Sequence, residues 1–178
     1  DAAKAIAKKG SLEAVETLSA ALVNDSFWAV RAEVAEALAT IQLAQAVDGL
    51  LKGLGDNHPK VRRAVVNSLA GVKTTESYKA LKAVVENGDE SYYVEGAAAT
   101  ALGKVGASTL DNGKNKEKKT LKLLAMVLEK RSGWNEVVRS GAIGGLSVFK
   151  SSEAALDLLL PYTEIGVPQA LRLIAIRA

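Results

Sequence analysis

Side chains suited to acid–base or metal chemistry are scarce in this chain of 178 residues. The chain holds one histidine, His58, and no cysteine, which excludes thiolate and multi-histidine metal sites. Neither a His-Glu-x-x-His zinc helix nor a Gly-x-Ser-x-Gly nucleophile turn occurs. His58 precedes Pro59, and we interpret it as a solvent-exposed loop residue, not as a catalyst. We therefore predict no catalytic residue, no cofactor site and no metal site in this sequence.

Aromatic side chains are the first candidate for a binding surface. Five of them cluster at the predicted starts of helices: Phe27, Trp28, Tyr92, Tyr93 and Trp134. Trp and Tyr are enriched among the residues that dominate affinity at protein interfaces, so these five could line one binding strip. They could equally pack the turns between repeated units. The sequence leaves both interpretations open.

A row of arginines is the second candidate. An arginine takes the second position of a recurring helical motif in four of its five copies: Arg31, Arg62, Arg139 and Arg172. Glu95 takes that position in the third copy. Such a row could contact an acidic partner, but aspartates recur just upstream of the motif, at Asp25, Asp56 and Asp89. Because aspartate is a natural hydrogen-bond partner of arginine, we favour a structural role for the row.

A lysine-rich insertion is the third candidate. It runs from position 107 to about position 118, and five lysines lie between positions 114 and 122. The segment contains neither arginine nor an aromatic residue, the side chains on which nucleic-acid bases stack. We therefore predict a solvated loop over residues 107–118.

One recurring motif sets where these residues lie. It begins with an aliphatic residue and ends eight positions later, usually at leucine, with small or aliphatic residues in between. Its apolar spacing fits one face of a helix and not the alternation of a strand. The copies lie at 30–38, 61–69, 94–102, 138–146 and, in shorter form, 171–178. Their starts are 31, 33, 44 and 33 residues apart, and the insertion accounts for the long step.

A second amphipathic segment follows each of the first four copies, so the repeated unit is a pair of helices. These segments are 44–54, 76–86, 120–130 and 152–162, and 12–23 precedes the first copy. Two helices per period of 31–33 residues predict an all-α, right-handed α-solenoid of about five HEAT-like helix pairs. We predict one domain over 1–178, with an incomplete first pair at 1–23 and a truncated last repeat at 165–178. Because both ends lie within helical sequence, we expect a fragment of a longer chain with an apolar end face at Leu171, Ile174 and Ile176.

Charge and hydropathy limit the classes of partner. The net charge is only +3, which argues against nucleic acid as the partner. The sequence contains no apolar run long enough to cross a membrane. Because cysteine and a signal peptide are both lacking, we expect a cytoplasmic location.

Four motifs resemble, in the same order, the repeats of a known helical domain. They are Asp-Ser-Phe-Trp-Ala-Val-Arg at 25–31, His-Pro-Lys-Val-Arg-Arg at 58–63, Asp-Glu-Ser-Tyr-Tyr-Val-Glu at 89–95 and Trp-Asn-Glu-Val-Val-Arg at 134–139. They are similar to the HEAT-like C-terminal domain of M1-family (gluzincin) zinc aminopeptidases. The resemblance implies a parent enzyme whose zinc and catalytic residues lie outside this sequence. It also implies that this non-catalytic domain packs on the catalytic domain and helps to enclose the substrate cavity.

Two other readings of the function stay open. The chain could be a free-standing HEAT-repeat scaffold that binds other proteins, as the HEAT-like bilin lyase subunits do. Less favoured is a HEAT-like nucleic-acid binder, because the positive charge is small. We therefore predict that the partner is the chain's own catalytic domain or another protein, and neither nucleic acid nor a membrane.

Overall fold

The computed structural model describes residues 2–107 and 113–178, and every regular element in these two ranges is helical. The described helices are α1 (Ala2–Ala7), α2 (Leu12–Asn24), α3 (Trp28–Leu38), α4 (Ala44–Lys52), α5 (Pro59–Gly71), α6 (Thr75–Asn87), α7 (Tyr92–Gly106), α8 (Gly113–Lys130), α9 (Val137–Leu146), α10 (Glu153–Leu159) and α11 (Gln169–Arg177). Short 3-10 turns lie at Gly53–Gly55, Trp134–Glu136 and Leu160–Thr163.

The helices alternate in the predicted way. The recurring motif forms α3, α5, α7, α9 and α11, which we call the A helices. The helices that we call B are α2, α4, α6, α8 and α10. The all-α fold of HEAT-like helix pairs is thereby confirmed. By contact the chain divides into two compact units, the first up to Ala80 and the second from Leu81 onward.

The first unit is built from like helices packed on one another. The A helix α3 packs against α5, and the B helix α2 packs against α4. Its core combines buried valines and alanines with five fully buried leucines: Leu18, Leu22, Leu38, Leu50 and Leu69. Burial of each such side chain stabilises the fold by roughly 1.5–3 kcal/mol.

The second unit has the tightest helix pair of the described chain. A Cβ atom added to Gly103 would overlap the carbonyl oxygen of Gly145, and one added to Gly141 would overlap that of Gly96. The backbones of α7 and α9 therefore touch at two levels, which are about two helical turns apart on α7 and about one turn apart on α9. Thr100 of α7 reinforces the contact, since its hydroxyl donates to Gly141 O at 2.9 Å.

Two details of the sequence prediction are wrong. The predicted loop at 107–118 is already helical from Gly113, because its lysines and glutamate favour helix and it continues into the part of α8 whose Leu121 and Leu124 are buried in the core. Positions 108–112 of that insertion lie outside the described residues. At the other end, Leu171 is buried, since α11 packs on α9, whereas Ile174 and Ile176 are exposed as predicted.

Candidate interaction surfaces

The turns that lead into three A helices share one local structure. In each, an aspartate side chain accepts a hydrogen bond of 2.8 Å from the backbone N–H two residues later. The pairs are Asp25 with Phe27, Asp56 with His58, and Asp89 with Ser91. The residue whose N–H donates this bond is also the N-cap residue of its helix. The recurring aspartates therefore fix where the A helices begin and where their first side chains lie.

Arg31 ties one such turn to the next. Its Nε and Nη2 donate to the two carboxylate oxygens of Asp56 at 2.6 and 2.9 Å, and its Nη1 donates to Asp25 O at 2.8 Å. Arg62 repeats the last contact, with Nη1 2.8 Å from Asp56 O. The hydrogen bond with Asp56 raises the pKa of Arg31. Burial alone would raise the pKa of Asp56, but hydrogen bonds from Arg31 and from the His58 N–H outweigh it and lower that pKa.

The second unit performs the same task with other residues. Glu95 is buried, and its Oε1 accepts from the Asp89 N–H at 2.9 Å and lies 3.6 Å from Nη2 of Arg131. Arg139 donates to both carboxylate oxygens of Glu136, at 2.5 and 2.7 Å, and these bonds raise its pKa. Arg172 is partly exposed on α11. A partner-binding role for the arginine row stays a prediction, but Arg31, Arg62 and Arg139 have structural tasks.

The aromatic residues of the first unit form a mixed cluster with two neighbours. Trp28 stacks on His58 with the ring centres 4.6 Å apart and the planes 6° from parallel. The ammonium of Lys60 lies 4.5 Å from the centre of the Trp28 ring, and Phe27 meets Trp28 edge-on at 5.9 Å. Phe27 is exposed, so this cluster offers one apolar ring to solvent.

His58 differs from its predicted role as an exposed loop residue. It is half-buried, and its Nδ1 accepts from the Lys60 N–H at 3.2 Å, so it caps α5. The sequence carried a signal for this, since a residue directly before a proline at the first helical position is an N-cap candidate.

The aromatic residues of the second unit form a more exposed cluster. Tyr92, Tyr93 and Trp134 are 46 %, 48 % and 56 % exposed. Tyr93 and Trp134 meet edge-on with their ring centres 5.8 Å apart. A Cβ added to Gly133 would lie 3.4 Å from Cζ of Tyr92, so Tyr92 borders the same turn. The structure thus brings these three predicted residues together.

The turn that carries Trp134 has an unusual backbone. Asn135 and Glu136, neither of them glycine, have φ values of 48° and 57°. Such left-handed residues are uncommon and persist where the surroundings hold them. The paired bonds between Glu136 and Arg139 hold this turn and therefore the position of Trp134.

Neither a cluster of metal ligands nor a membrane-spanning helix occurs in the described part of the chain. Within 2–107 and 113–178, no group of three or more His, Asp or Glu residues could hold a metal ion. No helix in the same ranges is both long and apolar enough to cross a membrane.

Comparison with known families assigns the repeats. A family model of HEAT repeats matches residues 1–58 and 47–134. The chain belongs to the HEAT-repeat family. For this HEAT-repeat chain the aminopeptidase parentage stays a prediction, because the match concerns the repeats alone. No curated protein matches its sequence.

Solved structures with the same fold include natural and engineered proteins. The complex of CpcE and CpcF of phycocyanin lyase from Nostoc sp. PCC7120 contains a chain similar to this HEAT-repeat chain, with a TM-score of 0.75 and 20 % identity. The match covers 94 % of this chain and 98 % of that one. Two engineered proteins from the Northeast Structural Genomics Consortium match with TM-scores of 0.58 and 0.54, at 20 % and 18 % identity. Each match covers 99 % of this chain, and 88 % and 87 % of the engineered chains. At these identities the similarity shows the fold alone.

Proposed function

We propose that this HEAT-repeat chain is a non-catalytic protein-binding module and that Tyr92, Tyr93 and Trp134 form a contact surface. The observation that supports this is that each of the three is about half exposed. Tyr92 and Tyr93 begin α7, and Tyr93 meets Trp134, which lies on the turn held by Arg139 and Glu136. Apolar surface in water costs about 25 cal/mol per Å², so a partner that covers these rings gains stability. Rigid Tyr and Trp side chains also lose little entropy on binding.

The chemistry around this cluster favours a protein over a nucleic acid. Tyr93 and Trp134 meet edge-on, so the two rings do not present a shared flat platform for bases. The nearby arginines are already committed, Arg139 to Glu136 and Arg131 to Glu95. Little positive charge is left here to attract phosphates.

A truncation at the cluster tests the proposal. Proteins that copurify with the chain would be identified and purified, and their affinity would be titrated against the wild-type chain and two variants. Trp134→Ala should weaken binding by tenfold or more, since a central Trp commonly contributes over 1.4 kcal/mol. Leu156→Ala is the matched control, because Leu156 is also about half exposed but lies on α10. Equal affinities of the wild-type chain and Trp134→Ala for every purified partner would rule out this surface.

A finer form of the proposal concerns the partner. Four motifs of this chain follow the order of the repeats in M1 aminopeptidases. This order favours, as the partner, the catalytic domain of a zinc aminopeptidase in the same polypeptide. The gene tests this directly, since a His-Glu-x-x-His sequence with a later glutamate should be encoded upstream of Asp1. A reading frame without that motif would rule out the aminopeptidase hypothesis and leave the proposal of a protein-binding module unchanged.

A second hypothesis is that the partner is another helical-repeat chain. The similarity to a chain in the CpcE–CpcF complex supports it, because that complex pairs two lyase subunits. In this case the partner recovered in the titration experiment should itself be helical, and the upstream gene should lack the zinc motif.

A further inference from the structure

A groove on the B helices of the first unit is not explained by the aromatic surfaces. It lies between α2 and α4 and has a volume of about 480 Å³. One face of each helix lines it, from Leu12 to Asn24 on α2 and from Gln45 to Lys52 on α4. Since an aliphatic side chain occupies on the order of 100 Å³, the groove can take several side chains of a partner.

The floor of the groove contains an unpaired hydroxyl. A Cβ added to Gly49 of α4 would overlap Oγ of Ser19 on α2, so the two helices approach closely here. Among the described residues, Ser19 Oγ is the buried side-chain oxygen without a hydrogen-bond partner. A buried, unpaired polar group costs roughly 1–3 kcal/mol, and this one lies inside the contact between the two helices that form the floor of the groove.

The walls combine apolar ends with an acidic middle. Leu12 and Val23 are 49 % and 52 % exposed and lie eleven positions apart on α2, which is about 16 Å along the helix. Between them, Glu16 of α2 and Asp48 of α4 line the groove, and Lys52 lies beside its end. The middle of the groove is therefore negatively charged, with exposed apolar side chains on both sides.

The backbone of the walls has little to offer an extended peptide. Both walls are helices, whose internal N–H and C=O groups bond to one another. An extended ligand would leave its own backbone groups without partners in the groove, whereas a helical ligand satisfies them internally. Apolar anchors about 16 Å apart also match two residues three turns apart on a helix.

We propose that this groove docks an amphipathic helix of another protein, with apolar residues against Leu12 and Val23 and a lysine or arginine between them facing Glu16 and Asp48. The site is separate from the proposed aromatic surface and does not depend on it.

The test uses two labelled peptide probes of about 14 residues, long enough to span the anchors. One is an amphipathic helix of leucine and lysine, and the other carries glutamate in place of lysine. Fluorescence anisotropy should show that the lysine peptide binds the full chain at least tenfold more tightly than the glutamate peptide. The double variant Glu16→Gln/Asp48→Asn should lose at least fivefold in affinity for the lysine peptide.

The matched control removes the same charge elsewhere. Glu33→Gln/Glu36→Gln changes two exposed glutamates of α3 and should leave the affinity within twofold. An equal loss in the control, equal binding of both peptides, or no binding of the lysine peptide overturns the proposal. So does unchanged affinity of a lysine peptide with a central proline, since that peptide cannot stay helical. Trp134→Ala should not change peptide affinity, so failure of this groove is distinguishable from failure of the aromatic surface.

Discussion

The A helices of the two units carry the same motif but are joined in different ways. In the first unit, Arg31 at the start of α3 reaches the Asp56 carboxylate in the turn before α5. In the second unit, α7 and α9 meet backbone to backbone where Gly96 faces Gly141 and Gly103 faces Gly145. One contact depends on charge and hydrogen-bond geometry, and the other depends on the absence of side chains.

The difference shows which parts of the repeat can be exchanged. Where the motif has Glu95 in place of arginine, Arg131 supplies the opposite charge from the following turn. The buried leucine at the end of each full motif copy stays the same in both units, as Leu38, Leu69, Leu102 and Leu146 show. The core side chain is therefore the shared element, and the link between neighbouring A helices is the variable one.

The largest effect should come from removing that shared leucine. Leu69→Ala in the first unit and Leu102→Ala in the second each remove a fully buried side chain and should cost about 2–5 kcal/mol of unfolding free energy. Urea unfolding followed by circular dichroism measures both. A loss below about 0.5 kcal/mol at either site would mean that this leucine is not a core residue of its unit.

Adding a methyl group at the glycine contact between α7 and α9 should lower the free energy of unfolding by somewhat less. Gly103→Ala forces a methyl group into the carbonyl of Gly145, so α7 and α9 must separate, at a cost of about 1–3 kcal/mol or more. Gly71→Ala on α5 is the matched control, because no atom lies within 4 Å of its added Cβ. That control should be neutral or stabilising by up to about 1 kcal/mol, since alanine favours helix. Equal effects of the two changes in thermal unfolding would contradict the backbone contact.

Changing the Arg31–Asp56 contact of the first unit should lower the free energy of unfolding by less again. Arg31→Lys keeps the positive charge but loses the paired geometry with Asp56 and the bond to Asp25 O, which should cost about 1–2 kcal/mol. The same denaturation experiment measures it. If Arg31→Lys is as stable as the wild type, a positive charge alone is enough to hold this turn. The paired hydrogen-bond geometry would then not distinguish the first unit from the second.

The smallest expected effect is the pH dependence of stability that the Arg31–Asp56 contact of the first unit contributes. Because the folded-state pKa of Asp56 is lowered, its contribution is fully present above the unfolded value of about 3.9 and is lost as pH falls through the folded value. Asp56→Asn should therefore lose less stability than the wild type between about pH 5 and pH 2. Glu33→Gln, at an exposed carboxylate on α3, is the control and should follow the wild-type curve. If the stability of Asp56→Asn falls with decreasing pH as steeply as that of the wild type, this ion pair does not contribute to the acid sensitivity of the fold.

The periodic residues were sufficient to place the helices. Predicted segments such as 12–23 and 76–86 agree with Leu12–Asn24 and Thr75–Asn87 to within one residue at each end. Long amphipathic periods are a strong local signal, and the aspartates before the A helices mark where they begin. The insertion was harder, because its lysine-rich end resembles a solvated loop, whereas the structure makes it the first turns of α8, a helix anchored by the buried Leu121 and Leu124 that follow.

The sequence by itself determined the helix pairs, their leucine core and the lack of any catalytic motif, because these follow from local spacing and residue type. Only the tertiary structure decided which side chains meet. It stacked His58 on Trp28, brought Tyr93 to Trp134, pressed Gly103 against Gly145 and opened the groove beside Ser19. The physical reason is that these contacts join residues 30 to 42 positions apart on different helices or turns. There the packing distance between backbones, and not the local pattern, sets which groups touch.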